Sequence, residues 1–259
     1  MISAVILAAG ESKRMGEQNK LLLPFRGQTL IECIVDTVWS SNVGEVIVVL
    51  GHEAVRVWEV CRDRHVKCVQ NDNYKEGMTT SIHMGVQAAD ASADGFMICL
   101  SDLPLIEPDE LNHLLHAFES AVKAKNKYIA ISVFEGQRGN PVIFSSIYKD
   151  DILAYKGLMG CKEIIQQNSE QVLEVGMATN HVLRDIDTPE DYKELFKMQN
   201  TSEYTCAYCG ETNLTFVDLS AGAQQSYVED CQVCCQPNVL YIQLHEETLE
   251  IEINSEPES

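Results

Sequence analysis

The chain has 259 residues, 45% of them hydrophobic, with 39 Asp and Glu against 19 Lys and Arg and a formal net charge of -20. That length buries a full core with room for a small appendage, and the acidic balance excludes nucleic acid and an anionic membrane surface as partners. No apolar run reaches membrane-spanning length and residues 1–9 lack the basic leader of a signal peptide, so a cytoplasmic protein is expected, its ten cysteines reduced thiols or metal ligands.

The first apolar run, 2–7, reads as a strand feeding Leu7-Ala8-Ala9-Gly10-Glu11-Ser12-Lys13-Arg14-Met15-Gly16 and, beyond it, Lys20. Small residues at 8 to 10 let backbone N–H groups approach phosphate oxygens, while Lys13, Arg14 and Lys20 offset phosphate charge. Neither Gly-x-x-x-x-Gly-Lys-Ser/Thr nor Gly-x-Gly-x-x-Gly occurs here, which turns the reading away from kinase-like and dehydrogenase chemistry. The bland alternative is a strand-turn-helix connection with surface charges.

Further β-rich runs at 45–50, 66–70, 95–100 and 128–133 alternate with helical periods at 29–41, 54–62, 79–91 and 108–123. This is the pattern of a doubly wound α/β domain with a mostly parallel sheet, whose ligands sit beyond the carboxyl ends of the strands. After the third run, Asn71 is followed by Gly77-Met78-Thr79-Thr80-Ser81; the glycine suits an unusual backbone angle, and the hydroxyls can cap a helix or bond a base and ribose. After the fourth run, Ser101-Asp102-Leu103-Pro104 holds an acid at a strand end. That makes Asp102 the leading metal-ligand candidate, although a loop or capping role explains an isolated Asp-x-Pro as well. Residues 136–144, with Arg138 and Asn140, read locally as a glycine-rich hairpin turn into a strand, and Gly157 to Gly160 as either a helix connector or a source of anion donors.

Taken together, Leu-Ala-x-Gly-x-x-x-Arg-Met-Gly with a downstream Lys resembles the signature loop of nucleotidyltransferases that build activated cofactors and sugars. Ala9 is similar to the molybdenum cofactor cytidylyltransferases, whose guanylyltransferase relatives carry a second glycine. The resemblance spans residues 1 to about 198 and implies a nucleotide-diphospho-sugar transferase-like Rossmann-type fold. It implies Lys20, Arg14 and Asp102 as catalytic residues, and Leu7, Ala8, Ala9, Gly10, Lys20, Asn71, Gly77 and Ser81 as nucleotide-binding residues. Arg138 and Asn140, in the stretch matching Gly-x-Arg-Gly-Asn-Pro-Val, would hold the second substrate. Asp102 and Asp187 would hold Mg²⁺, with Asp185 of the Asp-Ile-Asp-Thr-Pro-Glu-Asp segment the weaker choice. Ser101 stands where the family has glycine.

From residue 200 on there are eleven Asp and Glu and no Lys or Arg, a shift that places a boundary between 1–198 and 199–259. Cys206-Ala-Tyr-Cys209 and Cys231-Gln-Val-Cys234-Cys235, separated by 21 residues, suit a structural Zn²⁺ held by Cys206, Cys209, Cys231 and Cys234; a redox dithiol is the competing reading. Cys235 is left over. The segment resembles small cysteine-rich domains named for Cys-Pro-x-Cys-Gly, and Ala207 in place of proline is expected to loosen the first knuckle. A zinc-ribbon-like β domain is expected, with a two-stranded ribbon at 239–244 and 249–253 and a disordered acidic end. Cys33, Cys61, Cys68, Cys99 and Cys161 read as buried small hydrophobes.

The resemblance implies CMP transfer from CTP to the phosphate of molybdopterin or molybdenum cofactor, with release of pyrophosphate. A sugar or alcohol phosphate is the alternative acceptor. A non-catalytic cofactor carrier, docking on a molybdoenzyme or its maturation chaperone through the zinc domain, is the alternative of a different class.

Overall fold

The computed structural model describes residues 1–16, 18–124, 128–158, 160–199, 201–218, 221–245 and 251–258. The chain divides into two compact units, one of residues 1–24 and 28–188, the other of 25–27 and 189–259. The division precedes the last helix of the chain, whereas the shift in charge follows it. No helix of the described residues is long and apolar enough to cross a membrane.

In the first unit the strands and helices alternate. β1 (Ile2–Ala8) is followed by the two-residue strands β2 (Pro24–Phe25) and β3 (Gln28–Thr29), then α1 (Leu30–Trp39), β4 (Glu45–Leu50), α2 (Ala54–Cys61) and β5 (Lys67–Gln70). Then come α3 (Met78–Ala88), β6 (Gly95–Leu100), α4 (Pro108–Ala124), β7 (Ile129–Phe134), β8 (Gln137–Ser145), α5 (Lys149–Ala154), α6 (Lys162–Gln167) and β9 (Val172–Gly176). Seven strands form one sheet in the order β5-β4-β1-β6-β8-β7-β9, with β8 antiparallel to both its neighbours and the other pairings parallel. The doubly wound, mostly parallel sheet read from the sequence is therefore the fold of this unit.

The alternation of side chains along each strand divides the core in two. Ile2, Ala4, Ile6 and Ala8 of β1 pack with α1, α2 and α4. Val5 and Leu7 face α3, α5 and α6. Because both faces are covered, β1, β4 and β6 are apolar at nearly every position, which is why they show in the sequence as hydrophobic runs. Gly85 lets α3 lie directly on β1, since a Cβ there would stand 2.1 Å from Val5 Cγ1.

The strand order reverses between β1 and β6, and the loops after these two strands open there. Ser101 Oγ donates to the Leu7 carbonyl at 2.7 Å and joins the two strand ends. The segment leading to Asp187 is held in two places. The Ile186 N–H donates to the Asp102 carbonyl at 2.9 Å, and Glu110 of α4 receives the Thr179 hydroxyl, with His181 Nδ1 2.9 Å from its Oε2. Glu110 also accepts the Glu107 N–H at 2.9 Å, closing the first turn of α4.

The second unit contains α7 (Pro189–Gln199) and, among the described residues, an antiparallel pair β10 (Thr201–Thr205) and β11 (Thr212–Phe216). A three-stranded antiparallel sheet of β12 (Gln224–Asp230), β13 (Pro237–Leu244) and β14 (Ile251–Pro257) follows. Two expectations change. The ribbon has a third strand, β12, and the strand predicted to end at Ile253 continues as β14 to Pro257, where a disordered acidic end was expected. Its carboxylates alternate outward, while Ile251 and Ile253 pack against a small core of Tyr204, Val217, Leu240 and Ile242. Residues 249 and 250 of the predicted strand lie outside the described residues.

Burial alone would push the Glu110 carboxyl up, but bonds from Thr179, the Glu107 N–H and His181 outweigh it and hold its pKa below the ordinary value. A depressed carboxylate stabilises the fold above its unfolded pKa of about 4.3, and the gain is lost as pH falls through the lower folded value. Glu110→Ala is expected to cost about 1–2 kcal/mol in urea unfolding at neutral pH, with the difference from wild type narrowing on acidification below about pH 4. A difference unchanged across that range would contradict the assignment.

Candidate functional site

Immediately after β1 the chain makes a tight, largely unpaired loop. Ser12 has φ 50°, its carbonyl accepts the Met15 N–H at 2.8 Å, and a single 3-10 turn runs from Lys13 to Met15. Among the described residues, no backbone carbonyl accepts the N–H groups of Gly10, Glu11 or Ser12, and a Cβ added at Gly10 would meet nothing within 4 Å. Donors facing open space beside small side chains form an anion cradle. Asn19, 5% exposed, caps the next turn by accepting the Leu21 N–H at 3.1 Å, and the Lys20 N–H reaches Ser12 Oγ at 3.3 Å.

These turns aim Lys20 across the mouth of the sheet. Its Nζ lies 2.6 Å from Asp102 Oδ2 and 2.9 Å from Asp187 Oδ1, and the Arg14 guanidinium stands 2.8 Å from Asp187 Oδ2. Burial works against the lysine's charge, but Asp102 and Asp187 more than restore it and raise its pKa above the ordinary value. Asp187 is pushed up by burial and pulled further down by Lys20 and Arg14, so it ends below its ordinary value. Asp185 moves the other way, raised by burial and then by the like charges of Asp102 and Asp187. Asp102 Oδ1 is buried and has no partner among the described residues. An unsatisfied carboxylate oxygen beside a second carboxylate is a donor set that fits a hard divalent cation.

A cleft of about 420 Å³ gathers Leu7, Ala9, Gly10, Arg14, Lys20, Ser81, Asp102 and Asp187. It also takes in Tyr74, Met78 and Glu11, which the sequence reading did not single out, and Ser101, which stands where the resembled family has glycine. Ala8, Asn71 and Gly77 do not line it. Ala8 is buried within β1. Asn71, 2% exposed, spends its amide on Thr80 Oγ1 and Ser81 Oγ, both at 2.9 Å, and its carbonyl on the Asn73 N–H. Gly77, at φ +113°, starts α3. The three consecutive hydroxyls have separate duties, with Thr79 donating to the Gly157 carbonyl and Thr80 to that of Gly77, so Ser81 alone reaches the cleft wall.

Arg138 and Asn140 line a second cavity of about 380 Å³, with Ile82, Val142, Phe144 and Lys162. Met78 and Leu100 belong to both walls, so the two cavities adjoin. Gly139 is required there, because a Cβ would stand 2.4 Å from the Val182 carbonyl oxygen. Of the five remaining cysteines, Cys33, Cys61, Cys99 and Cys161 are buried, and burial pushes the Cys61, Cys99 and Cys161 thiols up to about 12.

In the second unit, the ligand atoms of Cys206, Cys209, Cys231 and Cys234 lie within 4.8 Å of one another, with Cys206–Cys234 and Cys209–Cys231 at 3.7 Å. A tetrahedral Zn²⁺ with Zn–S of about 2.3 Å needs S···S edges of about 3.8 Å, so the thiols fit the ion. The two knuckles repeat at a spacing of 25 residues, and the repeat includes Asn213 and Asn238, which the sequence reading missed. Asn238 Oδ1 accepts the Ala207 N–H at 2.8 Å, and Asn213 Oδ1 accepts the Gln232 N–H at 2.7 Å, so each asparagine ties down the opposite knuckle. Proline at 207 would have no N–H to give. Ala207 therefore fastens the first knuckle instead of loosening it. Cys235 occupies the position of Gly210 in the repeat, with φ 56° against 76°, and stands outside the four-sulfur group. Although burial opposes it, hydrogen bonds from the Cys209 and Tyr208 backbone and from Asn238 bring the Cys206 thiol down to about 6, which favours the thiolate a metal requires.

Removing either asparagine should weaken zinc retention roughly 10–100-fold. Competition of Asn213→Ala and Asn238→Ala proteins against a colorimetric chelator measures this, and zinc affinity equal to wild type would show that the asparagines do not support the site.

Residues 4–172 match the family described as the MobA-like NTP transferase domain, and residues 204–256 match the bacterial zinc ribbon domain. The chain is 33% identical over 199 residues to the purine catabolism protein PucB of Bacillus subtilis, covering 73% of this chain and 92% of PucB. It is 26% identical to the nicotine blue oxidoreductase of Paenarthrobacter nicotinovorans, covering 75% and 96%. A solved nucleotidyl transferase from Methanothermobacter thermautotroptrophicus is 26% identical and superposes with a TM-score of 0.64 over 75% of this chain and 95% of its own. The chain thus belongs to the MobA-like NTP transferase family, with a bacterial zinc ribbon following its nucleotidyltransferase domain.

Proposed function

We propose that the first unit transfers CMP from CTP to the terminal phosphate of molybdopterin or its molybdenum form and releases pyrophosphate. The observation that carries this reading is the Lys20 ammonium set between Asp102 and Asp187 beside the open loop at Gly10, at the point where β1 and β6 diverge. Loop N–H groups and Lys13 would receive the triphosphate, with Arg14 and Lys20 offsetting its charge. Ser81 and the backbone near it would recognise the base. Asp102 and Asp187 would hold Mg²⁺, which supplies charge neutralisation at the phosphates.

The adjoining second cavity is the place for the acceptor, held by Arg138 and Asn140. An acceptor phosphate oxygen forms a bond to the α-phosphorus of CTP as the bond from that phosphorus to the β-phosphate bridge breaks, and pyrophosphate carries away the electron pair. No protein nucleophile is needed, so the rate comes from alignment of the two phosphates and from preorganised charge.

With purified protein, Mg²⁺ and molybdopterin, pyrophosphate release is expected with CTP and not with GTP, ATP or UTP. Asp102→Ala should lower it by at least about 10²-fold. Release with none of the four nucleotides, or release indifferent to Asp102, would overturn the reading.

A further inference from the structure

The carboxylates that would receive a cation are already occupied by the protein's own. Of the four oxygens of Asp102 and Asp187, Lys20 takes one on each residue at 2.6 and 2.9 Å, and Arg14 takes the second oxygen of Asp187 at 2.8 Å. Asp102 Oδ1 is the exception, buried and without a partner among the described residues. The lysine does not reach this position by chance rotation of a surface side chain. It is 13% exposed, and it springs from a turn fixed by the Asn19 cap and by the bond from its own N–H to Ser12. A divalent ion approaching these carboxylates meets a fixed positive charge in a partly buried site, where repulsion is poorly screened.

We propose that Lys20 is a resident counter-cation that keeps a lone divalent ion out of the free protein, so that ion and nucleoside triphosphate enter together. The proposal rests on the reading of this cleft as a cation-assisted nucleotide site. The triphosphate supplies the negative charge that draws Lys20 and Arg14 from the carboxylates, and the freed carboxylates then accept the ion. Each ligand raises the affinity for the other by one common factor, as linkage requires. Metal-free protein remains charge-compensated, with the three cleft acids Glu11, Asp102 and Asp187 set against Lys13, Arg14 and Lys20.

Mn²⁺ binding to the full zinc-loaded chain, followed by the loss of the free-ion electron paramagnetic resonance signal, tests this without turnover. Wild type is expected to bind Mn²⁺ at least tenfold more tightly when CTP is present. Lys20→Gln should bind Mn²⁺ at least tenfold more tightly than wild type in the absence of nucleotide, and gain little from CTP. Lys20→Arg, which keeps the charge, should behave as wild type, and Asp102→Asn should abolish the gain in the Lys20→Gln background, which locates the ion. Circular dichroism melting identifies any variant that has lost its fold, and Lys20→Met, which also removes the charge, then takes the place of Lys20→Gln. CTP binding with equal Mn²⁺ affinity in wild type and Lys20→Gln overturns the counter-cation. Absence of any CTP binding, whatever Mn²⁺ does, overturns the nucleotide reading beneath it.

Discussion

Two aspartates and a lysine meeting at the carboxyl ends of buried strands set the terms for the first unit. Each charge there is expensive to hold away from water, and it is tolerated because its partner lies within hydrogen-bond distance on another segment of the chain. Lys20 comes from the loop after β1, Asp102 from the loop after β6, and Asp187 from the segment that closes the unit. Bringing them together therefore requires the parallel sheet, the Ser101 bridge between strand ends, and the bond from the Ile186 N–H to the Asp102 carbonyl. In a chain of net charge -20, Lys13, Arg14 and Lys20 gather positive charge along this cleft, the condition that an anionic ligand would need.

The second unit follows another logic. Among the described residues its strands share a cluster of only four buried hydrophobic residues, too few to order five strands unaided, and the cysteine pairs with their asparagines provide the rest of the organisation. Several backbone bonds around the sulfurs recur in both halves of the 25-residue repeat. Gly210 and Cys235 N–H groups bond back to the first cysteine of their knuckle, at 3.0 and 2.9 Å, and the asparagines cross to the opposite knuckle. Metal binding free energy becomes folding free energy in such an arrangement.

The central parallel strands were legible because strands covered on both faces are apolar at nearly every position. The first half of β8 was not, since Arg138-Gly139-Asn140-Pro141 has the composition of a turn, and the pairing of Arg138 with Val133 of β7 extends the strand back through it. The start of β14 was legible from the alternation at Ile251 and Ile253, but its continuation to Pro257 was hidden, because the acidic composition there suggests a solvated tail and only pairing with β13 makes it a strand. At the site, the loop glycine, Lys20 and Asp102 were readable as types suited to phosphate and metal. The choice between Asp185 and Asp187 was not, because two residues of spacing decide nothing until the backbone turn puts one of them against Lys20 and Arg14. Asn71 shows the limit from the other side. Its amide suits a base, yet it is consumed in holding Ser81.

The central claim is that the Lys20–Asp102–Asp187 cluster is where a triphosphate and its cation are received. A crystal structure with Mn²⁺ and a CTP analogue carrying a non-hydrolysable α–β bridge tests it most directly. The account predicts phosphates on the N–H groups of Gly10 to Lys13, anomalous scattering from manganese at Asp102 and Asp187, and Lys20 turned from the carboxylates to phosphate. A nucleotide bound elsewhere, or one bound here with Lys20 still paired to both aspartates and no manganese between them, would contradict it.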